Sequence, residues 1–431
     1  MPTAPDALAV TVSPSGLFDG LTSLPGHPSA HLGDGCAALL GDVLDRLGAT
    51  RLLLVHGQGS FFQCGAGRLA EKWGRHREVH HFDAFTANPR VEDVEAGVHR
   101  AQVFRPQAVV GIGGGSALDM AKMIAVLSEQ DATPGDCLAH PELVRAPRAC
   151  SLVLLPTTAG SGSEMTRFAT VYAGGRKHSL DHSDVRADVV LVDPLLAASV
   201  PQPAAVAAAL DALSQAVESY WSVSATSQSK QLARSALVEL LPALGGIAAY
   251  GGPGTERGGA DRDGSGHGGA GLGGAGAGWL ASPDVRTRLA RGASAAGAAI
   301  DITRTTAAHA LSYALTARLG LPHGAAVAVH LRWLIGHHAQ ATTGDCRHPG
   351  GPSELRRIID DVQELSVEAT SLTIEQLLAR LLAAGGHPVS IHDLALPAEH
   401  WAVSLTEALS SRRAENTPRT VTEADVHRLL S

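Results

Sequence analysis

The chain has 431 residues, of which 45% are hydrophobic and 18% charged, a balance typical of globular proteins. This length exceeds one typical domain, so we expect two domains. A formal net charge of −8 gives no basic surface for nucleic acid or for an anionic membrane. No run approaches the roughly 18 apolar residues that a membrane span needs. These features exclude nucleic-acid-binding and membrane-spanning classes, and we expect neither partner.

Short β-rich runs alternate with helical stretches between about residues 50 and 200, and they begin at Arg51, Ala108, Ser151 and Val189. This alternation predicts a parallel α/β layer. After Pro201, long alanine- and leucine-rich segments have helical periodicity and predict an all-helical second part. We therefore predict two domains, at 1–200 and 201–431.

A glycine-rich stretch at 251–278 interrupts the helical half of the chain. It cannot bury enough surface to offset the entropy lost on ordering, so we predict a flexible surface insertion. The helical patterns after about residue 350 are interpreted as segments that complete the core of the second domain. Nothing in the tail suggests a separate module.

A β-run ends in consecutive glycines and leads directly into a helical pattern at 111–122. Gly113, Gly114 and Gly115 let the backbone approach a pyrophosphate, and the N-terminus of the following helix favours its negative charge. Ser116 adds a hydroxyl group. Such a turn can also be only a tight corner. A second turn of small hydroxylated residues and glycine at 156–166 favours the nucleotide interpretation.

The segments GGGSALDMAK and PTTAGSGSEMT resemble the cofactor loops of the iron-containing (group III) alcohol dehydrogenases. The resemblance implies a Rossmann-like α/β dinucleotide-binding domain followed by an all-α domain, the architecture shared with dehydroquinate synthase. It also implies NADPH or NADH as the cofactor and a homo-oligomeric assembly. On this resemblance, the cofactor-binding residues are Gly113, Gly114, Gly115, Ser116, Asp119, Thr157, Thr158 and Ser163, with Asp119 supporting the first turn.

Many members of this family carry an acidic residue at the end of the first strand, where it binds the adenosine ribose and repels a 2′-phosphate. The corresponding place here is Gly57, with His56 before it and Ser60 after it. We include Gly57 and Ser60 among the cofactor-binding residues. Because nothing acidic occupies this place, we expect NADPH, with NADH as the alternative.

Asp211 and Gln215 are four residues apart in a helical pattern and share one face of the helix. His309 lies in a later helical pattern, and His323 follows it at the start of the next one. Family members bind a divalent metal through an aspartate and three histidines at this spacing. The resemblance therefore implies a site for Fe²⁺ or Zn²⁺ formed by Asp211, Gln215, His309 and His323.

Gln215 stands where the family usually has a histidine, and an amide oxygen is a poorer ligand for these metals. Tyr313 stands four residues after His309, where the family usually has another histidine. We expect Asp211, His309, His323 and Tyr313 to be the catalytic residues, with Tyr313 or a metal-bound water as the proton source. The alternative is that both histidines are merely buried and that the reductase works without metal.

Segments at 166–180, 211–222 and 302–329 resemble the phosphonoacetaldehyde reductase branch of this family. The resemblance implies reduction of phosphonoacetaldehyde to 2-hydroxyethylphosphonate in phosphonate natural-product biosynthesis. A phosphonate dianion needs fixed cations close to the aldehyde, and Arg167, Lys177 and Arg304 are candidates.

Two other functions stay open. The chain could reduce another small carbonyl compound or oxidise an alcohol, or it could be a non-catalytic nucleotide-binding protein whose metal site has degenerated. The five cysteines are scattered, odd in number and without a Cys-x-x-Cys pair, so we expect a reducing cytoplasm. The N-terminus lacks the basic start and apolar core of a secretory signal.

Overall fold

The computed structural model describes residues 16–173, 176–250, 279–394, 408 and 411–430. Its strands all lie in the first half of the chain, and its long helices follow them. The glycine-rich stretch at 251–278, which we predict to be a flexible insertion, lies outside the described residues. The strands are β1 Thr22–Ser23, β2 Ala30–Leu32, β3 Arg51–His56, β4 Glu78–Phe82, β5 Ala108–Gly113, β6 Ser151–Pro156, β7 Phe168–Ala173, β8 Arg176–Asp181 and β9 Val189–Val192.

Seven strands form one sheet in the order β1-β2-β9-β6-β5-β3-β4. β1 pairs antiparallel with β2, and every other neighbouring pair in this sheet is parallel. The four strands predicted from the sequence are β3, β5, β6 and β9, and they lie side by side in the middle. The predicted parallel α/β layer is therefore confirmed.

The middle residues of the central strands are all apolar, as expected for strands of a parallel sheet that is covered on both faces. Successive side chains of a strand point to opposite faces. Leu53 and Val55 of β3 accordingly join the larger hydrophobic cluster, and Leu52 and Leu54 join a second cluster on the other face. The larger cluster continues into the helical part of the chain, so one core connects the sheet to the helices.

Six helices accompany the sheet: α1 Leu40–Arg46, α2 Ser60–Gln63, α3 Ala66–Trp73, α4 Val91–Phe104, α5 Gly115–Leu127 and α6 Pro134–Ala139. The helical part consists of α7 Gln202–Trp221, α8 Ser227–Tyr250, α9 Pro283–Thr303, α10 Ala307–Leu319, α11 His323–Ala339, α12 Gly351–Thr370, α13 Ile374–Ala384, α14 Arg412–Glu415 and α15 Glu423–Leu430. The boundary predicted near residue 200 falls between β9 and α7. Among the helices described, none is both long and apolar enough to cross a membrane.

The loop after β6 packs directly against the helical part. Gly162, in the left-handed region at φ 59°, lies against Gly297 of α9, and Gly160 lies against Ala208 of α7. The paired strands β7 and β8 follow this loop, and β7 contacts α5 through the hydrogen bonds of Thr170 to Asp119. These contacts hold the carboxyl edge of the sheet against α7 and α9, with one narrow space left between them.

Replacing Gly297 with alanine should destabilise the protein, because the added Cβ would lie 2.4 Å from the carbonyl oxygen of Gly162. Overpacking of this kind costs about 1–3 kcal/mol. The matched control is Gly246→Ala in α8, where an added Cβ meets nothing within 4 Å. That change should stabilise the helix by about 0.5–1 kcal/mol. Urea denaturation of both variants measures the free energies of unfolding, and equal stability of the two would contradict the close contact.

Candidate active site

The carboxyl edge of the sheet and helices α7, α10 and α11 enclose a cavity of about 220 Å³. Residues from the two predicted cofactor loops line one side of it. Residues predicted to bind metal line the other side. The lining residues among the sequence predictions are Gly115, Ser116, Asp119, Ser163, Lys177, Asp211, Gln215, Arg304, His309, Tyr313 and His323. The structure thus brings the two predicted groups to one cavity.

Three of the predicted metal ligands come from three different helices. Asp211 lies on α7, His309 on α10, and His323 is the first residue of α11; their ligand atoms all lie within 4.8 Å of one another. Nε2 of His309 is 3.2 Å from Oδ1 of Asp211. One carboxylate and two imidazoles leave coordination positions open for substrate or water, as catalytic sites for zinc and iron do.

Gln215 lies one helical turn after Asp211 on the cavity wall. Its Nε2 donates a hydrogen bond of 3.1 Å to the carbonyl oxygen of Ser161 in the second cofactor loop. Its Oε1 is buried and has no hydrogen-bond partner among the described residues. A buried oxygen left unsatisfied costs about 1–3 kcal/mol, and a metal ion beside Asp211 would remove that cost. The donor set of Asp211, His309 and His323 therefore fits a divalent metal, and the unpartnered Oε1 of Gln215 could add a fourth donor.

Glu218 fixes the orientation of His309, and sequence analysis missed it. Its side chain is fully buried, and its carboxylate accepts a hydrogen bond from Nδ1 of His309. The same carboxylate accepts bonds from the hydroxyl of Thr306 and the backbone N–H of Ala308 at the start of α10. Because Nδ1 is occupied, Nε2 of His309 is left to face Asp211 and the cavity. Glu218 lies two helical turns after Asp211 and so on the same face of the helix, and this spacing could have identified it from the sequence.

His323 reaches the other ligands because α11 begins in close contact with α7. A Cβ at Gly324 would lie 1.9 Å from the carbonyl oxygen of Ala207 and 2.9 Å from Cβ of Asp211. No side chain larger than hydrogen fits at this position. Gly324 therefore lets the helix start lie directly against α7 and holds His323 beside Asp211.

The electrostatics of the three ligands depend on their neighbours. Burial alone would lower the pKa of His309, but the carboxylates of Glu218 and Asp211 outweigh it and raise that pKa. Burial alone would raise the pKa of Asp211, but the two histidines hold it below its ordinary value. Burial and the nearby Lys177 ammonium lower the pKa of His323 far below its usual range. His323 is therefore neutral, as a metal ligand must be.

The two cofactor loops lie against each other at the ends of β5 and β6. The N–H of Thr157 donates to the carbonyl oxygen of Gly113, and a Cβ at Gly114 would lie 3.3 Å from Oγ1 of Thr158. A Cβ at Gly115 would lie 2.8 Å from Oγ of Ser161. The glycines thus keep the N-terminus of α5 open and close to the second loop, the arrangement that binds phosphate groups.

Asp119 and Lys122, one turn apart on α5, tie the second loop to the helix. Asp119 accepts hydrogen bonds from the hydroxyl of Ser163 and from the backbone N–H and hydroxyl of Thr170. Lys122, which sequence analysis missed, is fully buried and donates to the hydroxyls of Ser163 and Thr166, each at 3.0 Å. Burial lowers the pKa of Lys122 to about 8 despite the nearby Asp119.

Gly57 and Ser60 lie at the end of β3, where the ribose of a dinucleotide is expected. Gly57 is next to the β5 loop, since a Cβ at Gly113 would lie 3.9 Å from its nitrogen. Nε2 of His56 is 2.8 Å from Nδ1 of His81 on β4. Burial lowers the pKa of both histidines, and the nearby Asp83 carboxylate opposes this shift only in part. Asp83, directly after β4, is thus close to the end of β3. The order of residues in the sequence did not predict this.

The three cations predicted to bind substrate have different surroundings. Arg304 lines the cavity, but its guanidinium pairs with the carboxylate of Asp181. Nε of Arg167 is 3.6 Å from the same carboxylate, and Arg167 is half exposed outside the cavity lining. Lys177 points into the cavity with its ammonium 5.0 Å from the centre of the Tyr313 ring. Only Lys177 of these three directs an unneutralised charge at the cavity.

Tyr313 lies one turn after His309, with its ring stacked on His323 at 6.1 Å between centres. Its hydroxyl is buried and has no hydrogen-bond partner within the described part of the chain. Burial raises the pKa of Tyr313 to about 12, although the positive charge of Arg413 opposes this. Arg413, from the C-terminal tail that we expected only to complete the core, also lines the cavity.

Comparison with known proteins places this architecture and site in one family. Residues 28–194 match the family described as iron-containing alcohol dehydrogenase, and residues 281–431 match the C-terminal part of the Fe-containing alcohol dehydrogenase family. The chain is 31% identical to a phosphonoacetaldehyde reductase of Streptomyces viridochromogenes over 348 residues, 79% of each protein. It is 28% identical to long-chain-alcohol dehydrogenase 1 of Geobacillus thermodenitrificans over 93% of each.

Solved structures have the same fold. A sulfoacetaldehyde reductase from Bifidobacterium kashiwanohense in complex with NAD⁺ superposes with a TM-score of 0.74 at 22% identity, over 94% of this chain and 97% of that one. An iron-containing alcohol dehydrogenase from Thermotoga maritima gives a TM-score of 0.72 at 24% identity, over 93% and 96%. The fold and site are those of an NAD(P)-dependent oxidoreductase with a divalent metal. The chain belongs to the iron-containing alcohol dehydrogenase family.

Replacing Glu218 with glutamine should weaken metal binding. The amide keeps the shape but loses the negative charge that fixes His309, and loss of such a partner costs about 10–100-fold in metal affinity. Competition with a chromophoric chelator measures the affinity of the metal-free protein for Zn²⁺. The control is Glu239→Gln, which removes a carboxylate that pairs with Arg288 and Arg291 at the surface. Equal affinities of the two variants would show that Glu218 has no such role.

Proposed function

We propose that this enzyme reduces phosphonoacetaldehyde to 2-hydroxyethylphosphonate in phosphonate natural-product biosynthesis. The observation that carries the proposal is the single cavity in which Asp211, His309 and His323 face the glycine-rich start of α5. A cavity of about 220 Å³ suits a small aldehyde beside a nicotinamide. Similarity to the Streptomyces reductase supports this particular substrate. The relatives named above as reductase and alcohol dehydrogenase support interconversion of an aldehyde and an alcohol as the type of reaction.

When bound, NAD(P)H supplies the hydride, and the divalent metal withdraws electrons from the carbonyl oxygen as a Lewis acid. The residues of the chain provide position and charge. Asp211, Gln215, His309 and His323 would hold the metal, and Glu218 keeps Nε2 of His309 directed at it. The N-terminus of α5 with Gly115 and Ser116 would hold the pyrophosphate, so that cofactor and carbonyl meet in one orientation.

The proposal also covers the coenzyme, the cellular compartment and the oligomeric state. We propose that Gly57 and Ser60 border the adenosine ribose and that NADPH is accepted, with NADH as the alternative. Asp83 near His56 and His81 is the acid whose position bears on that choice. The five free thiols suit a reducing compartment, and we propose that the enzyme acts in the cytoplasm as a homo-oligomer.

The proposed substrate predicts a clear order of reactivity. Purified enzyme should oxidise NADPH or NADH with phosphonoacetaldehyde at a kcat/KM at least 10-fold above the values for acetaldehyde and butyraldehyde. Chelation should abolish turnover, and added Fe²⁺ or Zn²⁺ should restore it. Equal turnover of plain aldehydes would leave the family unchanged and exclude the substrate. Full activity after chelation would instead support the metal-independent alternative, and no turnover of any short aldehyde would favour a non-catalytic protein.

Tyr313 is one proposed source of the proton that the product alcohol gains, with a metal-bound water as the other. A pKa of about 12 makes the phenol a reluctant donor at neutral pH. If it is the donor, Tyr313→Phe should lower kcat by about 100-fold with phosphonoacetaldehyde and little change in KM. Thr316→Val, one turn away in α10 with another buried unpartnered hydroxyl, is the matched control. A loss of less than threefold in Tyr313→Phe would remove the phenol from this role.

A further inference from the structure

Two cations approach the same aromatic ring inside the cavity. The ammonium of Lys177, on β8, is 5.0 Å from the centre of the Tyr313 ring, and the guanidinium carbon of Arg413, on α14, is 5.3 Å from it. Both residues line the cavity, together with the metal-ligating residues. They are 236 positions apart in the sequence, and only the fold brings them together.

Neither cation forms an ion pair with a carboxylate of the described residues. The hydrogen bond of Arg413 goes from Nε to the neutral hydroxyl of Thr305, at 3.1 Å, which leaves the terminal nitrogens of the guanidinium for another partner. Arg304, on the same cavity wall, differs in being paired with Asp181. The cavity therefore contains two positive charges that no carboxylate of the described residues pairs with directly.

Two positive charges in a buried space repel each other and lose hydration, so their arrangement costs free energy unless an anion joins them. Burial and the nearby Arg413 charge lower the pKa of Lys177 to about 8. The carboxylates of Asp211 and Asp119 oppose this shift only in part. A ligand with negative oxygen atoms between the two side chains would relieve the repulsion and raise that pKa.

We propose that Lys177 and Arg413 bind the phosphonate group of the substrate and select aldehydes that carry an oxyanion. This inference rests on the proposed function, which it extends by naming the residues that confer specificity. Two cations match the two negative charges of a phosphonate dianion, and the guanidinium can bind two of its oxygens at once. A sulfonate has the same shape with one negative charge, so it should be a weaker substrate.

The position of the two cations also restricts the length of the substrate. Tyr313, which both cations approach, stacks on the metal ligand His323 at 6.1 Å between ring centres. The anion site and the carbonyl site therefore both lie next to one aromatic ring. A molecule with a single carbon between the phosphonate and the aldehyde is short enough to reach both sites. Longer or uncharged aldehydes would leave one of the sites unfilled.

The test compares Lys177→Met, Arg413→Gln and Arg413→Lys with wild type, as metal-loaded enzyme, on phosphonoacetaldehyde, sulfoacetaldehyde and acetaldehyde. Loss of one charge-assisted contact should lower kcat/KM for phosphonoacetaldehyde by about 10–100-fold, mainly through KM. Because a change at the cavity wall can also alter reduction of the uncharged aldehyde, the measured quantity is the ratio of kcat/KM for phosphonoacetaldehyde to that for acetaldehyde, which should fall by about 10-fold or more. Arg413→Lys should retain part of the preference because it keeps the charge. The matched controls are Lys72→Met and Arg68→Gln, which remove exposed charges on α3.

Inhibition of acetaldehyde reduction by methylphosphonate is a second test, and it does not need the proposed substrate. Wild type should be inhibited competitively, and Lys177→Met and Arg413→Gln should raise the inhibition constant by about 10-fold or more. If wild type does not reduce phosphonoacetaldehyde but is inhibited by methylphosphonate in this way, the proposed function is wrong and the anion site is supported. Equal losses on all three aldehydes, or unchanged inhibition in the variants, would overturn the anion site while the reductase function stands. If no aldehyde is reduced, calorimetric titration measures the binding of methylphosphonate directly. Weaker binding by Lys177→Met and Arg413→Gln than by wild type would support the anion site, and equal binding would overturn it.

Discussion

The buried carboxylate of Glu218 is the group on which the geometry of the site depends. A charge without solvent is costly unless several donors surround it. Here the donors are the backbone N–H groups at the start of α10, the hydroxyl of Thr306 and the imidazole of His309. The positive end of α10 adds to this stabilisation. One side chain on α7 therefore fixes where α10 begins and how its histidine points.

Small residues allow the other elements of the site to pack closely against α7 and α9. Gly324 lies against Ala207, Gly160 against Ala208, and Gly162 against Gly297. Each pair lets two backbones approach within a distance that larger side chains forbid. The α/β layer and the helices are consequently held together at the carboxyl edge of the sheet.

The features predicted correctly from the sequence are those that neighbouring residues determine. The apolar runs of β3, β5, β6 and β9 and the glycine-rich turns after them are visible locally, because a buried parallel strand must be apolar throughout. The positions of Asp211, His309 and His323 followed from a family resemblance. Arg413 had no such signal, since its distance from Lys177 along the chain is large. The pairing of Arg167 and Arg304 with Asp181 was likewise invisible, because charge neutralisation depends on the three-dimensional neighbours.

Gln215 links the two halves of the site in a way that explains why an amide can serve there. Its Nε2 donates to the carbonyl oxygen of Ser161 in the second cofactor loop, while its Oε1 is buried and has no hydrogen-bond partner among the described residues. A planar amide has a donor and an acceptor at a fixed angle, so holding one end determines where the other points. A metal bound through Oε1 would thus be tied to the second cofactor loop. An amide oxygen would be a weaker ligand than an imidazole, and its fixed position would offset part of that loss by holding the acceptor in place before the metal binds.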